Sequence, residues 1–447
     1  MSVFKGGLFS SGVRRPPRAP GSLFTRVQAL RHAPLAYTER LANTGEPLLW
    51  LRLPGVSFYV AQDLGVIDEV LVKKHHSFIK DTYTRRLREI LGKGLLTAEG
   101  APGRRQRRLL QPAFHRRQIA GYVPDMVRLA EAMVAGFGDH EVRDVHRDLM
   151  RLTLEIVGHT LFGTDVSGSA ALVGEAIELA MMRYVGTWMP LWLPTPLNRR
   201  ARASLDRVHA LLSGIIRERR EGGSTGSDLL SLLLRAQDED GTRMSDRQLR
   251  DECMTLFLAG HETTALNLSY TLFLLAMRPD LQEALAAEVG DVLGDRSPTF
   301  DDVQSLVACQ RVIKESMRLY PPAWSIGRRA IEDVEIGGFP LPKGTEVALF
   351  MWALHRNPDR FPEPEAFRPE RWTAKFERTL PRHAYMPFGG GPRICIGNTF
   401  ALTEVVLVLA TIVRSYRFRL AQPPRLPLQA SITLRPRDGV RLRLEAR

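Results

Sequence analysis

Apolar positions crowd into Leu48-Leu49-Trp50-Leu51-Arg52-Leu53 and Val56-Ser57-Phe58-Tyr59-Val60-Ala61, on either side of Pro54-Gly55. Runs rich in large apolar residues around a turn dipeptide predict a β-hairpin. From about Arg104 to Met277 the period becomes helical, with Gly121, Gly158, Gly163, Gly186 and Pro190 as expected breaks. Asp246 to Met277 reads as one long apolar-rich helix, too polar around Gly260 to cross a membrane. Gly222-Gly223-Ser224-Thr225-Gly226-Ser227 predicts a loop, and Ser227-Asp228 the start of the next helix. Helices are expected over Leu281 to Leu293 and Phe300 to Leu319, separated by a break at Ser297-Pro298. Val334, Ile336, Phe339, Leu341 and Val347, spaced by Gly337-Gly338 and Pro342-Lys343-Gly344, predict short strands and tight turns. The Pro-rich stretch from Phe361 to Pro387 is expected to be irregular. A glycine-rich loop and an apolar helix follow, and Ser431 to Pro436 with Gly439 to Leu444 are expected to close the chain as a hairpin. Residues 1–25 read as a basic lead-in without structure, and 26–447 as a single domain without internal repeats.

The 447 residues are 44% hydrophobic and 25% charged, an ordinary globular balance that can bury a large core. Lys+Arg number 62 against 49 Asp+Glu, a net charge of +13. Such an excess is read either as arginines on solvated faces or as a surface for an acidic partner. No nucleic-acid-binding motif accompanies it, so nucleic acid is not expected as a partner. The three cysteines, Cys253, Cys309 and Cys395, exclude a disulfide scaffold and a Cys-rich zinc site. Cys253 and Cys309 fall in apolar helical patterns and read as small buried hydrophobes. No apolar run reaches the roughly 18–20 residues of a spanning helix. The strongest, Phe400 to Val413, is interrupted by Glu404. A soluble, cytoplasmic protein without a transmembrane anchor is therefore expected. An arginine-rich, acid-free N-terminus is also compatible with a transit peptide, but Pro16, Pro17 and Pro20 spoil an amphipathic helix there.

The candidate chemistry centres on Phe388-Gly389-Gly390-Gly391-Pro392-Arg393-Ile394-Cys395-Ile396-Gly397. Glycines let the backbone approach something large and flat, an arginine two residues before the cysteine can neutralise an anion on it, and the thiolate can be a single metal ligand. Haem iron meets all three demands, and thiolate ligation favours O–O cleavage. The helix expected from Asn398 would aim its positive end at the thiolate. Alone, such a cysteine is more often structural. Ala259-Gly260-His261-Glu262-Thr263-Thr264 lies midway along the long helix. Ser/Thr back-bonding there can loosen the helical ladder and open a groove for O₂, with Glu262 and Thr263 as an acid–alcohol proton relay. The plain reading of that motif is a solvated kink. Glu315-Ser316-Met317-Arg318 places opposite charges on one helix face. With Phe367-Arg368-Pro369-Glu370-Arg371-Trp372 downstream, two arginines could grip one carboxylate.

Taken in order, these motifs resemble the cytochrome P-450 family of haem-thiolate monooxygenases. The cysteine loop matches F-G-x-G-x-R-x-C-x-G at every fixed position, and the resemblance runs from about Leu48 to Leu444. It implies a mainly α fold with a smaller β part, a triangular helical prism with haem b between the long helix and the helix after the cysteine loop. It further implies Cys395 as the axial haem-iron ligand, Phe388 packed beside the thiolate, and Arg393, Arg328 and Arg107 facing the propionates. Thr263 with Glu262 would activate O₂, and Glu315, Arg318 and Arg371 would form a structural salt-bridge triad. One departure stands out, because the family's W-x-x-x-R tryptophan falls at Gly103, so one propionate partner is missing.

The implied reaction inserts one oxygen atom from O₂ into a lipophilic substrate. Terpenoid or fatty-acyl substrates are favoured, and polyketides or carotenoids remain open. Electrons would come from a separate ferredoxin or flavodoxin with its reductase, and Arg104, Arg105, Arg107, Arg108, Arg116 and Arg117 are candidates for a basic docking face. By the resemblance the pocket is lined by Leu256, Ala259, Ala323, Trp324, Ser325, Ile326, Ser431 and Ile432. Trp188 to Pro194 reads either as an apolar entrance or as core packing. A monomer is expected. The rival readings are a haem-thiolate isomerase, dehydratase or peroxygenase, then a haem-binding gas sensor, then a non-haem helical protein.

Overall fold

β1 (Leu48–Leu53) and β2 (Val56–Ala61) pair antiparallel with Trp50 opposite Tyr59, as the two apolar runs predict. The computed structural model describes residues 15–54, 56–163, 172, 174–176, 179, 191–222, 226, 228–237 and 241–447. Its contacts group into two compact units. One comprises the chain up to Tyr83, Ser325–Pro362 and Pro381–Ile394; the other comprises Thr84–Trp324, Glu363–Leu380 and Cys395–Arg447.

In the smaller unit, β1 and β2 join β3 (Phe78–Lys80), β5 (Ile326–Ala330) and β8 (Glu346–Leu349) in the order β1-β2-β8-β5-β3. Only the β2–β8 pairing is parallel. Leu48, Phe78, Val347, Leu349 and Met386 form its dry core. β6 (Val334–Ile336) and β7 (Phe339–Leu341) form a separate hairpin through Gly337 and Gly338, both at positive φ. Residues 1–14 lie outside the described residues. Within the expected lead-in, however, Trp50 N–H donates to Pro17 and Ala19 N–H to Trp50, at 2.7 and 2.9 Å. The helix Leu23–His32 then starts behind a Ser22 cap. This part of the lead-in is tied along β1, because an edge strand offers unpaired backbone groups.

The larger unit carries the long helices α1 (Gly100–Leu110), α2 (Arg116–Ala135), α3 (Val145–Phe162), α4 (Pro196–Glu221), α5 (Asp246–Leu275), α6 (Pro279–Leu293), α7 (Val307–Leu319) and α8 (Asn398–Ser415). α5 is capped by Ser245 and packs along α3, with Phe257 stacked on Phe162 at 4.5 Å. α8 is long and apolar enough to cross a membrane, with a mean hydropathy of 1.4, yet two-thirds of it is buried by the protein's own helices. β4 (Val142–Asp144), β9 (Tyr416–Leu420) and β12 (Arg441–Ala446) form a sheet in the order β4-β12-β9, and β10 (Leu428–Ala430) pairs with β11 (Leu434–Pro436).

Several expectations change. Gly121 and Gly158 lie inside α2 and α3 rather than between helices. Only Gly163 ends one, in the left-handed conformation at φ +59°. Gly186, Pro190 and much of the 222–227 loop lie outside the described residues. Phe300 to Leu319 is not one helix. The Asp302 carboxylate accepts from Arg296, from Thr299 N–H and from Thr299 Oγ1, holding a 3₁₀ turn at Asp301–Gln304, and α7 begins only at Val307. The closing segments do not pair with each other, since β11 turns back on β10 and β12 inserts between β4 and β9. A period of two marks a strand but not its partner.

Gly391 has φ +71°, and a Cβ there would sit 1.9 Å from the Leu71 carbonyl oxygen. Gly391→Ala therefore meets backbone that cannot swing aside, together with the left-handed penalty of about 1–2 kcal/mol. The expected outcome is a loss of at least that much unfolding free energy in urea titration. An unchanged midpoint would mean that the loop relaxes freely.

Candidate active site

Cys395 follows the glycine-rich loop and lies three residues before the start of α8. Of the three cysteines it alone is exposed; Cys253 and Cys309 are fully buried, and burial pushes both thiols far up. Crowding by the surrounding chain also raises the Cys395 thiol, while the Gly397 N–H and the Arg107 charge act to lower it. The residue is thus open to solvent while its thiol is crowded. Two groups of opposite effect, a helix-terminal amide and a cation on α1, are what a thiolate ligand requires.

α5 contributes the second element. It is buried along most of its length, yet Ala259 is exposed and Gly260 and Thr263 are half-buried. Thr263 Oγ1 donates to Ala259 O at 2.7 Å, and Thr264 Oγ1 to Gly260 O at 2.9 Å. This back-bonding was anticipated, but the helix stays α-helical throughout. Gly260 has a further reason to be glycine, because a Cβ would come within 3.0 Å of Val157 Cγ2 on α3.

The structure does not join Glu262 to Thr263 by a hydrogen bond. Glu262 is 1% exposed, and its Oε1 accepts from Arg435 Nε at 2.6 Å and from Thr433 Oγ1. Burial alone would raise this carboxyl; the bonds from Arg435 and Thr433 and the Arg435 charge outweigh it and hold it below the ordinary value. Neither partner was anticipated from sequence. The signal available, an arginine three residues beyond Ile432 in an apolar strand, names no partner. Neighbouring His261 and His146 are held neutral by burial, the latter at about 4.

Glu315, Arg318 and Arg371 do come together. Arg318 grips both oxygens of Glu315 at 2.9 and 2.8 Å, and Arg371 Nε reaches Oε1 at 2.9 Å. Two donors not foreseen complete the shell, namely Trp372 Nε1 at 2.9 Å and the Arg368 N–H at 3.0 Å. Arg318 also donates to the Pro364 and Ala366 carbonyls.

Other expected residues divide between the two units. Leu256 is buried on α5, and Ala323, Trp324, Ser431 and Ile432 are half-buried, with Trp324 Nε1 donating to Ser431 O at 2.8 Å. Arg107 belongs to the larger unit as well. In the smaller unit, Ile326 packs against the sheet core, Phe388 and Ser325 are half-buried, and Arg328 is buried on β5. Arg393 donates to the His75 and Phe78 carbonyls at 3.2 and 2.8 Å. Trp188 to Pro190 lie outside the described residues; Trp192 is 73% exposed. Glu404 is fully buried with no partner for either oxygen among the described residues, and burial pushes its carboxyl far up.

The cytochrome P450 family model matches residues 15–442. The chain belongs to the cytochrome P450 family. Among curated relatives of this P450 are cyclooctatin synthase and cyclooctat-9-en-7-ol 5-monooxygenase of Streptomyces melanosporofaciens, 38% and 36% identical over 412 residues, covering 90% of this chain and 89% of each relative. Pentalenene oxygenase of Streptomyces avermitilis is 33% identical over 444 residues, covering 96% of this chain and 97% of the relative. The crystal structure of the cytochrome P450DA heme domain superposes with a TM-score of 0.88 at 31% identity, over 97% of this chain and 98% of that one. Membership makes the protein a haem-thiolate oxidoreductase of the monooxygenase class, supplied with electrons by a redox partner and acting on a lipophilic substrate.

Glu315→Ala leaves the Arg318 guanidinium buried without its carboxylate, a change that costs about 3–5 kcal/mol in comparable buried pairs. The expected result is a variant that loses its Soret band at a urea concentration well below that for the parent protein. Equal midpoints would show that the carboxylate is dispensable.

Proposed function

We propose that Cys395 is the axial haem ligand and that the substrate is a terpenoid hydrocarbon or alcohol. The exposure of Cys395 beside an α-helix N-terminus, with both other cysteines buried, carries the first assignment. The apolar character of Leu256, Ala259, Ala323, Trp324, Ile326 and Ile432 supports the second, as do the relatives named cyclooctatin synthase, cyclooctat-9-en-7-ol 5-monooxygenase and pentalenene oxygenase. Fatty-acyl substrates are the remaining class of the same polarity.

When bound, the haem supplies reductive activation of O₂ and transfer of one oxygen atom to carbon. The chain's own residues do the rest. The Gly397 N–H and Arg107 favour the thiolate at Cys395. Arg107 of the larger unit, and Arg328 and Arg393 of the smaller, would supply cations for the propionates; Arg393 would then release or share its bonds to His75 and Phe78. Thr263, on the stretch of α5 that surfaces, would hold a proton at Oγ1 and could release it once its bond to Ala259 O is exchanged. The expected acid partner, Glu262, has a hydrogen-bonded commitment elsewhere.

Electron delivery is assigned to an acidic ferredoxin at Arg104, Arg108, Arg116 and Arg117, all exposed on α1 and the start of α2. Opposite charges held in water attract less as salt rises, so reduction by such a ferredoxin should slow as ionic strength increases. Rates that do not depend on salt would remove this docking face.

The deciding experiment is an optical titration of the ferric holoprotein with terpenes, fatty acids, carotenoids, steroids and macrolides. A saturable high-spin shift of the Soret band is expected with a terpenoid. Saturation by fatty acids alone would overturn the substrate class. Cys395→Ser should lose the thiolate signature of the Soret band, and a variant that retains it would overturn the ligand assignment.

A further inference from the structure

The turn between β10 and β11 is fastened at several points. Trp324 Nε1 holds the Ser431 carbonyl, and Leu434 N–H donates to Pro322 O at 2.9 Å. Tyr270 Oη on α5 donates to Leu434 O at 2.6 Å, its ring stacked on Tyr320 at 4.9 Å. Two turns of helix earlier, Glu262 takes Thr433 Oγ1 and Arg435 Nε on a single oxygen, and its Oε2 has no partner among the described residues. α5 therefore grips the hairpin at two points: Glu262 holds the side chains of Thr433 and Arg435, and Tyr270 the carbonyl of Leu434 between them.

Successive helix residues diverge by about 100°. Thr263 thus points away from Glu262, and its hydroxyl is bonded back to Ala259. The carboxylate is spent on the hairpin. An ion pair that is 1% exposed on the acid side and 21% on the base side gives up its geometry only at a cost, because either partner alone would be left buried and unpaired.

We infer that Glu262 is a positioning residue for the substrate-facing turn at Ser431 and Ile432, acting through Arg435 and Thr433. On this account those three residues, with Tyr270, set the pocket wall and so the size of substrate admitted and the carbon presented. The inference rests on the reading of Ile432 as pocket lining given above. It removes Glu262 from the proton relay and leaves Thr263 to be supplied from another source.

The test uses the haem-loaded protein and the variants Glu262→Gln, Arg435→Ala, Arg435→Lys and Thr433→Val. Hydrogen exchange of peptides covering residues 428–436 reads the hairpin directly. Soret titration with 4-phenylimidazole, against imidazole as a probe too small to touch the wall, reads the pocket. Glu262→Gln and Arg435→Ala should each speed hairpin exchange by about a hundredfold. Each should also raise the Kd for 4-phenylimidazole about tenfold or more while the Kd for imidazole stays within about twofold. The double variant should be no worse than either single one, because the two residues share one interaction. Arg435→Lys should recover part of both effects. Thr433→Val, which keeps the ion pair, should give a smaller change of the same sign and serves if the charge variants do not fold.

Hairpin exchange at the parent rate in both charge variants would overturn the inference. So would a Glu262→Gln effect on peroxide release, with a surrogate ferredoxin and reductase, that Arg435→Ala does not share. Absence of any azole-induced Soret shift in the parent would instead overturn the haem-site reading, and the exchange data would still decide the tie.

Discussion

One buried carboxylate organises the centre of the larger unit. Glu315 accepts five hydrogen bonds, two from Arg318 and one each from Arg371, Trp372 and the Arg368 backbone. Desolvating a charge of this kind is expensive, and it is tolerated only when every lone pair is used and the counter-charges are equally fixed. Arg318 is correspondingly satisfied at its far side by the Pro364 and Ala366 carbonyls. The segment Glu363–Leu380 holds a 3₁₀ turn (Pro369–Arg371) and a short helix (Ala374–Thr379), and these bonds fasten it to α7. A wrong donor at any of these positions leaves a buried charge, which makes this arrangement less tolerant of substitution than an apolar core of similar size.

The cysteine chemistry depends on a contrast rather than on one strong interaction. All three cysteines are crowded by protein, yet only Cys395 is open to solvent and has a backbone amide and an arginine acting toward its thiolate. The glycine-rich approach to it is dictated sterically at Gly391, where a side chain would strike the Leu71 carbonyl. The missing family tryptophan at Gly103 has a local explanation too, since a Cβ there would lie 3.1 Å from the Ala98 backbone. A side chain there would press on the backbone that leads into α1.

α5 carries both the residue closest to the expected oxygen chemistry and the residue that fixes the β10–β11 hairpin, at adjacent positions. Helical geometry separates them: Thr263 bonds within the helix, and Glu262 reaches Thr433 and Arg435. An acid–alcohol pair adjacent in sequence is therefore not a pair in space here, and the acid ties α5 to the β10–β11 hairpin.

The sequence by itself determined the family, the burial of Cys253 and Cys309, the β1–β2 hairpin and the extent of α5, because each rests on local spacing, capping or a motif written in consecutive residues. Glu315 and Arg318 were legible for the same reason, lying one helical turn apart. Only the tertiary structure decided that Trp372 and the Arg368 amide complete the Glu315 shell, that β12 pairs with β4 and β9 rather than with β11, and that Glu262 belongs to Arg435. The Glu315 and Glu262 contacts join residues 53 to 173 positions apart. Periodicity states which face of an element is buried, but a carboxylate reads the same in sequence whether its cation is beside it or across the fold, and only packing brings the partner within hydrogen-bonding distance.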